Sequence, residues 1–397
     1  MFSSCTLAHQ LATALQSRQE RGILRRLDPA RASGVDFASN DYLSLTRNAQ
    51  LRDAFVSRLA NSEAPVLGSG GSRLLVPAPA HAALESRLAR VFHAPAALLF
   101  NSGFDANVAF FQCVPQRGDV VLYDALIHAS VHDGLRVGRA TAAPFAHNDV
   151  RDLERRLRGV PEGANVFVAV ESLYSMDGDF APLQLIVDAL RPLGDRVHLI
   201  VDEAHATGVY GRGLVAQAGL EDRVFARLIT FGKALGATGA ALLVPALLRE
   251  YLLNYARPLI YTTALANYCV VAIDCSLDLL ENGQLDALAA RLHRNIQHFV
   301  NALRPHIALI PRQILALPAP DAQAPSPILP LLTYQPHALA AHLRKRGLVA
   351  RPIAAPTVPR GQERVRVCVQ AGHTEMQLDA LAGAVVEWAN TQSRARL

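Results

Sequence analysis

The sequence is short of cysteine, and its five cysteines form no pattern: Cys5, Cys113, Cys269, Cys275 and Cys368 are odd in number, with no C-x-x-C pair. That excludes a disulfide framework and a cysteine-built zinc site, so no metal is expected and a reducing compartment fits. No uninterrupted apolar run reaches bilayer-spanning length, and residues 1–20 lack the apolar stretch and cleavage site of a secretory signal. A soluble protein without a membrane partner is expected. Charge of one sign is not gathered anywhere either: 39 Lys and Arg stand against 34 Asp and Glu, a net +5, and the basic residues are scattered through amphipathic stretches such as 153–158. Nucleic acid is therefore not the expected partner, whereas anionic substrates and cofactors suit a mild excess. There is no internal repeat and no low-complexity tract.

What is present is a chain of 397 residues, 51% hydrophobic, able to bury one large core beside a smaller unit. Short apolar runs at 97–100, 120–123, 166–170, 197–201, 227–231 and 240–244 alternate with stretches of helical spacing at 81–92, 183–193 and 246–255. This is the pattern of an α/β fold, a mostly parallel buried sheet flanked by helices. From 263 to about 300 the pattern is continuously helical, and Pro305, Pro311, Pro318, Pro320, Pro325 and Pro327 then break it. The expected division is an N-terminal segment at 1–50, a large domain at 51–300 and a small α+β C-terminal domain at 301–397. The small domain should hold a strand at 328–334, a helix at 336–346, a strand around 364–369 and a final helix from 374. Pro330 makes the first of those strands an edge strand.

Lys233 lies in Thr230-Phe231-Gly232-Lys233-Ala234-Leu235-Gly236, downstream of a strand ending in Asp202-Glu203-Ala204-His205. Alone, a loop lysine is usually a solvated charge and a strand-end Asp a helix cap. Together they are the parts that hold pyridoxal 5′-phosphate: the amine forms a Schiff base with the aldehyde, and the carboxylate keeps the pyridine nitrogen protonated. Both fall at carboxyl ends of strands, where open α/β sheets bind ligands. Thr230 can offer a hydroxyl to the phosphate, and Ser102-Gly103-Phe104 opens a helix whose free N–H groups suit a dianion. His128 follows another strand end and could stack on the ring. Residues 68–73, Gly-Ser-Gly-Gly-Ser-Arg, lack the Lys-Ser/Thr ending of a nucleotide loop and read instead as a flexible loop near a substrate.

Ser39-Asn40-Asp41-Tyr42-Leu43, residues 68–73, Ser102-Gly103-Phe104, His128-Ala129-Ser130, His147-Asn148-Asp149, Ser175-Met176-Asp177-Gly178-Asp179, residues 202–208 and 230–236, and Pro356-Thr357-Val358-Pro359 followed by Arg364-Val365-Arg366 occur in one order along the chain. In that order the chain resembles the α-oxoamine synthases, fold-type I pyridoxal phosphate enzymes that join an amino acid to an acyl-CoA with loss of CO2. The resemblance runs from about residue 36 to 373. Residues 145–150, 174–179 and 230–233 are most similar to the branch that condenses L-alanine with a pimeloyl thioester in biotin synthesis.

The resemblance implies that Lys233 and His128 are catalytic. It also implies that Asp202 pairs with the ring nitrogen, His205 and Ser175 bond the ring oxygen region, and Thr230 with Gly103 and Phe104 holds the phosphate. Arg366 with Asn40 would take the amino-acid carboxylate, and Arg25 and Thr357 match substrate-contacting positions. A homodimer with shared sites is implied too, Thr262 reaching the neighbour's phosphate. The alternatives are a sister enzyme using glycine or serine with another acyl-CoA, or a silent regulatory subunit, which would lack Lys233. Two departures stand out: residues 74–81 replace a glycine-containing turn, and Ala354-Ala355 stand where many bacterial members carry an arginine. The tail Ala395-Arg396-Leu397 has the form of a peroxisomal address, so delivery by the peroxisomal import receptor is expected, with the cytoplasm as the alternative.

Overall fold

A computed structural model describes residues 6–25, 27, 34–62, 65–318 and 325–394; Cys5, Pro320 and the tail Ala395-Arg396-Leu397 lie outside them. Among the described residues twelve strands form three sheets: β1 (Val35–Asp36), β2 (Ala96–Phe100), β3 (Val120–Asp124), β4 (Thr141–Phe145), β5 (Val166–Glu171), β6 (Val197–Asp202), β7 (Ala226–Thr230), β8 (Ala240–Val244), β9 (Ile328–Leu332), β10 (Leu348–Val349), β11 (Arg351–Ile353) and β12 (Arg364–Cys368). The large sheet runs in the order β2-β8-β7-β6-β5-β3-β4. Only β8 is antiparallel to its neighbours. Every residue of β5, β7 and β8 is buried, which is why these strands read as continuous apolar runs rather than alternating ones.

Helices cover both faces. The helix Gly103–Cys113 starts where the Ser102 hydroxyl accepts the Asp105 N–H at 3.1 Å, satisfying one of the free donors of the first turn. It packs on the helix Ala129–Val137 so closely that a Cβ on Gly134 would lie 2.8 Å from Phe111 Cβ. Phe110 and Phe111 are buried beneath, each stabilising the fold by roughly 2–3 kcal/mol through apolar area removed from water.

The C-terminal sheet is antiparallel, order β11-β12-β9, flanked by helices Pro336–Arg344 and Glu375–Arg394. Pro330 sits in β9 at the sheet edge, opposite Arg366. Pro305 does not end its helix as the sequence reading has it: the helix Gln284–Ile307 runs past it. Pro305 has no N–H to give to the carbonyl four residues before it, yet only two residues of helix follow it, so the helix ends a fraction of a turn later than the proline itself. The edge strand β4, with Pro144 inside it, and the short β10 and β11 were not anticipated. Among the described residues no helix is long and apolar enough to cross a membrane, no group of three or more His, Cys, Asp or Glu is placed to hold a metal ion, and Cys113, Cys269, Cys275 and Cys368 are free.

Candidate active site

One rim of the large sheet gathers the chemistry. Phe100 closes β2, Asp124 β3, Glu171 β5, Asp202 β6 and Thr230 β7, while antiparallel β8 begins there at Ala240, paired with both Phe100 and Thr230. The cavity over this rim measures about 330 Å³ and is lined by Gly103, Phe104, His128, Asp202, His205, Thr230 and Lys233, all named from the sequence. Asn107, Glu171 and Thr238 line it as well and were missed.

Asp202 is held from two sides. Its Oδ1 accepts the Ala204 N–H at 2.9 Å and its Oδ2 accepts from Asn107 Nδ2 at 3.0 Å. The same Asn107 amide donates to Ser130 Oγ at 3.0 Å, and Ser130 Oγ lies 2.7 Å from His128 Nδ1. His128 also caps the helix Ala129–Val137, so its ring is fixed by backbone and side chain together. Desolvation of the ring lowers the His128 pKa, against the pull of Asp202 and with the push of Lys233, which favours the neutral imidazole. His205 is pushed well below the usual histidine range by burial, then by Lys233 and Arg366.

Burial likewise lowers the pKa of Lys233, with Asp202 and Glu171 opposing, which favours the free amine a nucleophile or base requires. Glu171 faces Asp202 across the β5–β6 pair and is 3% exposed. Burial, and then the Asp202 charge, raise its pKa well above the carboxylate range. Its Oε1 has no protein partner. In the sequence Glu171 looks like any strand-end carboxylate; only the strand register places it beside Asp202.

The phosphate end of such a cofactor finds the opening amides of the helix Gly103–Cys113 opposite Thr230, and a Cβ on Gly103 would meet Thr230 Cγ2 at 2.7 Å. A cavity with a desolvated lysine, a pinned strand-end carboxylate and a helix N-terminus with a hydroxyl beside it fits pyridoxal phosphate. No cradle for a metal competes with it among the described residues.

A second cluster adjoins the first. Arg366, 6% exposed on β12, donates from Nη1 to Ser175 O at 3.0 Å and from Nη2 to Asn40 Oδ1 at 3.2 Å, leaving Nε without a partner. Buried Tyr42 joins the two clusters, its hydroxyl 2.7 Å from His205 Nδ1 and 3.2 Å from Asn40 Oδ1. Tyr42 stands in the motif Ser39-Asn40-Asp41-Tyr42-Leu43 with no role legible from its sequence; a buried tyrosine needs a partner for its hydroxyl, which is the one signal pointing to it.

Three residues named from the sequence stand apart. Arg25 and Thr357 are exposed and off the cavity, and Thr262 lines a separate small void with Arg73, His81 and Leu265. The loop at 68–73 is tied down rather than free: Arg73 pairs with buried Glu85, and the Ala264 N–H donates to Gly71 O at 2.9 Å.

Residues 32–385 match the family model described as aminotransferase class I and II. The chain is similar to the 8-amino-7-oxononanoate synthase of Emericella nidulans, 42% identical with 96% of each chain covered. It is also similar to an aminoacyl transferase of Aspergillus fumigatus, 36% identical over 90% of this chain and 81% of that one. Among solved structures, a serine palmitoyltransferase of Sphingomonas wittichii aligns at a TM-score of 0.82 and 28% identity, covering 91% of this chain and 88% of that one. The 8-amino-7-oxononanoate synthase of Francisella tularensis aligns at 0.71 and 25% identity, covering 91% and 99%.

Proposed function

Since the chain belongs to the α-oxoamine synthases of the aminotransferase class I and II family, acyl-CoA:amino acid C-acyltransferases that work with pyridoxal 5′-phosphate, we propose that it joins L-alanine to pimeloyl-CoA. The products are 8-amino-7-oxononanoate, coenzyme A and CO2, a step of biotin synthesis. The observation that carries this reading is the meeting of Lys233, Asp202, His128 and Thr230 in one cavity, with Arg366 linked to it through Asn40 and Tyr42. The name borne by a relative 42% identical supports the choice of substrates.

Bound pyridoxal phosphate supplies an electron sink for negative charge developing at the amino-acid Cα. Asp202 would pair with its ring nitrogen, Lys233 with its aldehyde, and Thr230 with the Gly103 and Phe104 amides would hold its phosphate. His128 would stack on the ring, and His205 and Ser175 would bond the ring oxygen region. Arg366 receives the alanine carboxylate, for which a planar fork of donors is well shaped, and Asn40 and the Ser175 carbonyl together hold that fork. Lys233 takes the Cα proton, its lowered pKa favouring the free amine. A Cα–acyl carbon bond forms as the C–S bond breaks and the thiolate leaves with coenzyme A. The carboxylate then departs as CO2, and a proton returns to the same carbon. His128, placed at the mouth of the cavity, can steady the negative charge on the thioester oxygen during attack.

Coenzyme A release by the cofactor-loaded protein, measured with alanine, glycine and serine against pimeloyl-, acetyl-, succinyl- and palmitoyl-CoA, tests the assignment. Alanine with pimeloyl-CoA should exceed every other pair by about tenfold or more in kcat/KM. Preference for another pair moves the enzyme to a sister activity. One observation favours that second reading: Ala354 and Ala355 put no cation before Pro356, while Arg351 and Arg360 are exposed.

Two further parts belong to this proposal. The enzyme acts as a homodimer in which Thr262 serves the neighbour's phosphate, which accounts for a Thr262 that lies off the cavity of its own chain. The tail Ala395-Arg396-Leu397 delivers it to peroxisomes. A fluorescent fusion should lose its punctate location when these three residues are deleted, and an unchanged location would remove this part of the proposal.

A further inference from the structure

His147 lies between two carboxylates, with Nδ1 2.8 Å from Asp124 Oδ1 and Nε2 2.8 Å from Asp179 Oδ2. Ionised carboxylates only accept, so a ring bonded to both must donate from both nitrogens and carry a positive charge. Burial opposes that charge, but the hydrogen bonds to Asp124 and Asp179, and then their charges, hold the imidazolium to a pKa of about 10. Asn148, in the left-handed region at φ 54°, reinforces the clasp. Its N–H donates to Asp124 Oδ2 at 2.9 Å and its Nδ2 to Asp179 Oδ2 at 3.0 Å.

The two carboxylates differ in what they are attached to. Asp124 is fully buried at the end of β3, within the large sheet. Asp179 closes a turn, where the Tyr174 N–H donates to Asp179 O at 3.0 Å and the Gly178 N–H to Tyr174 O at 2.9 Å. The other residues of that turn carry the C-terminal sheet. Ser175 O accepts from Arg366, Met176 O accepts from Arg364 at 3.1 Å, and the Asp177 carboxylate pairs with Arg364. Gly178, at φ +69°, lies so close under β9 that a Cβ there would be 2.1 Å from Ile328 O. One side of the turn is thus clamped to the large sheet and the other presents a carbonyl to the guanidinium of Arg366.

We infer that His147 is a positioning residue for the amino-acid substrate: by fixing Asp179 against Asp124 it holds the turn whose Ser175 carbonyl sets the rotation of Arg366, an inference that rests on reading Arg366 as the carboxylate anchor. A guanidinium binds a carboxylate with two parallel bonds only when its plane is fixed, so loosening the Ser175 carbonyl weakens substrate capture before it touches the chemistry at Lys233.

His147→Gln and Asp179→Ala in the full-length, cofactor-loaded enzyme test this, the Asp179 side chain being 41% exposed so that its truncation leaves the core intact. Both should raise KM for the amino acid about tenfold while kcat falls less than about threefold and KM for the acyl-CoA stays as in the wild type. The amino-acid dissociation constant, titrated through the change in cofactor absorbance without acyl-CoA, should rise by the same factor. Arg366→Lys is measured beside them. If it weakens amino-acid binding while both clasp variants bind as the wild type does, or lose kcat at unchanged KM, the positioning role is overturned and the anchor stands. If Arg366→Lys leaves amino-acid binding unchanged, the anchor itself falls and the role of His147 falls with it.

Discussion

Lys233→Ala should lower kcat/KM by about 10³-fold or more while leaving a folded, cofactor-binding protein. The lysine is asked for two things, a covalent hold on the cofactor aldehyde and a base for the Cα proton, and no other amine lines the cavity. Its neighbours Phe231, Ala234 and Leu235 are the residues buried in the core, so truncating the lysine leaves the packing of its turn in place. The visible absorbance of the cofactor–amine adduct should disappear in the same variant, and retention of more than about a tenth of wild-type activity would overturn the assignment. A mixing experiment extends the test to the proposed homodimer. Thr262→Ala should weaken the phosphate site of the neighbouring subunit, so a hybrid of Lys233→Ala and Thr262→Ala chains has one site carrying both lesions and one carrying neither. Activity recovered on mixing, above the mean of the two parents, is the expected result.

Asp202→Asn should cost nearly as much, about 10²- to 10³-fold in kcat/KM, for two reasons that act together. The negative charge proposed to keep the pyridine nitrogen protonated is lost. The replacement also cannot repeat the original bonds, because Oδ1 and Oδ2 both accept at present, from the Ala204 N–H and from Asn107 Nδ2. An asparagine must turn its NH2 toward one of these donors, so either the turn after β6 or the chain from Asn107 through Ser130 to His128 is disturbed. Asn107→Ala, which removes the contact but keeps the charge, should fall much less, by about tenfold. Equal losses in the two variants would mean that orientation rather than charge is what Asp202 provides. The measurement is steady-state turnover with the cofactor saturating.

Most of the large sheet was legible because its central strands are buried on both faces and so write themselves as apolar runs, β8 at 240–244 being marked to the residue. Lys233 and Asp202 were legible for a related reason, as polar residues placed just where such runs end. What escaped the sequence has little periodicity to show. Strands β10 and β11 have two and three residues, too few for alternation, and β4 is a largely exposed edge strand that contains Pro144. Glu171, Asn107 and Tyr42 escaped because their importance lies in partners far along the chain: Glu171 in the register with Asp202, Asn107 in a bond to Asp202, Tyr42 in a bond to His205. Arg366 and Asn40 were reached only through the family resemblance, since nothing in their local spacing distinguishes them from surface polar residues.

The ribbon that holds Asn40 has a history set by its place in the chain. Val35 and Asp36 pair with Leu348 and Val349, the Phe37 N–H donates to Val349 O, the Cys368 N–H to Phe37 O and the Ala371 N–H to Tyr42 O. A ribosome adding about 5–20 residues per second makes the partners of this ribbon roughly 300 residues, hence on the order of 15 seconds to a minute, after the ribbon itself. Phe37, Tyr42 and Leu43, all buried in the finished molecule, must wait through that interval without their final neighbours. The rim bearing Asp202 and Thr230 has its last strand once β8 has emerged, whereas Asn40 meets Arg366 only when β12 does. In the newborn chain the rim proposed to hold the cofactor is therefore complete well before the proposed anchor for the amino acid is.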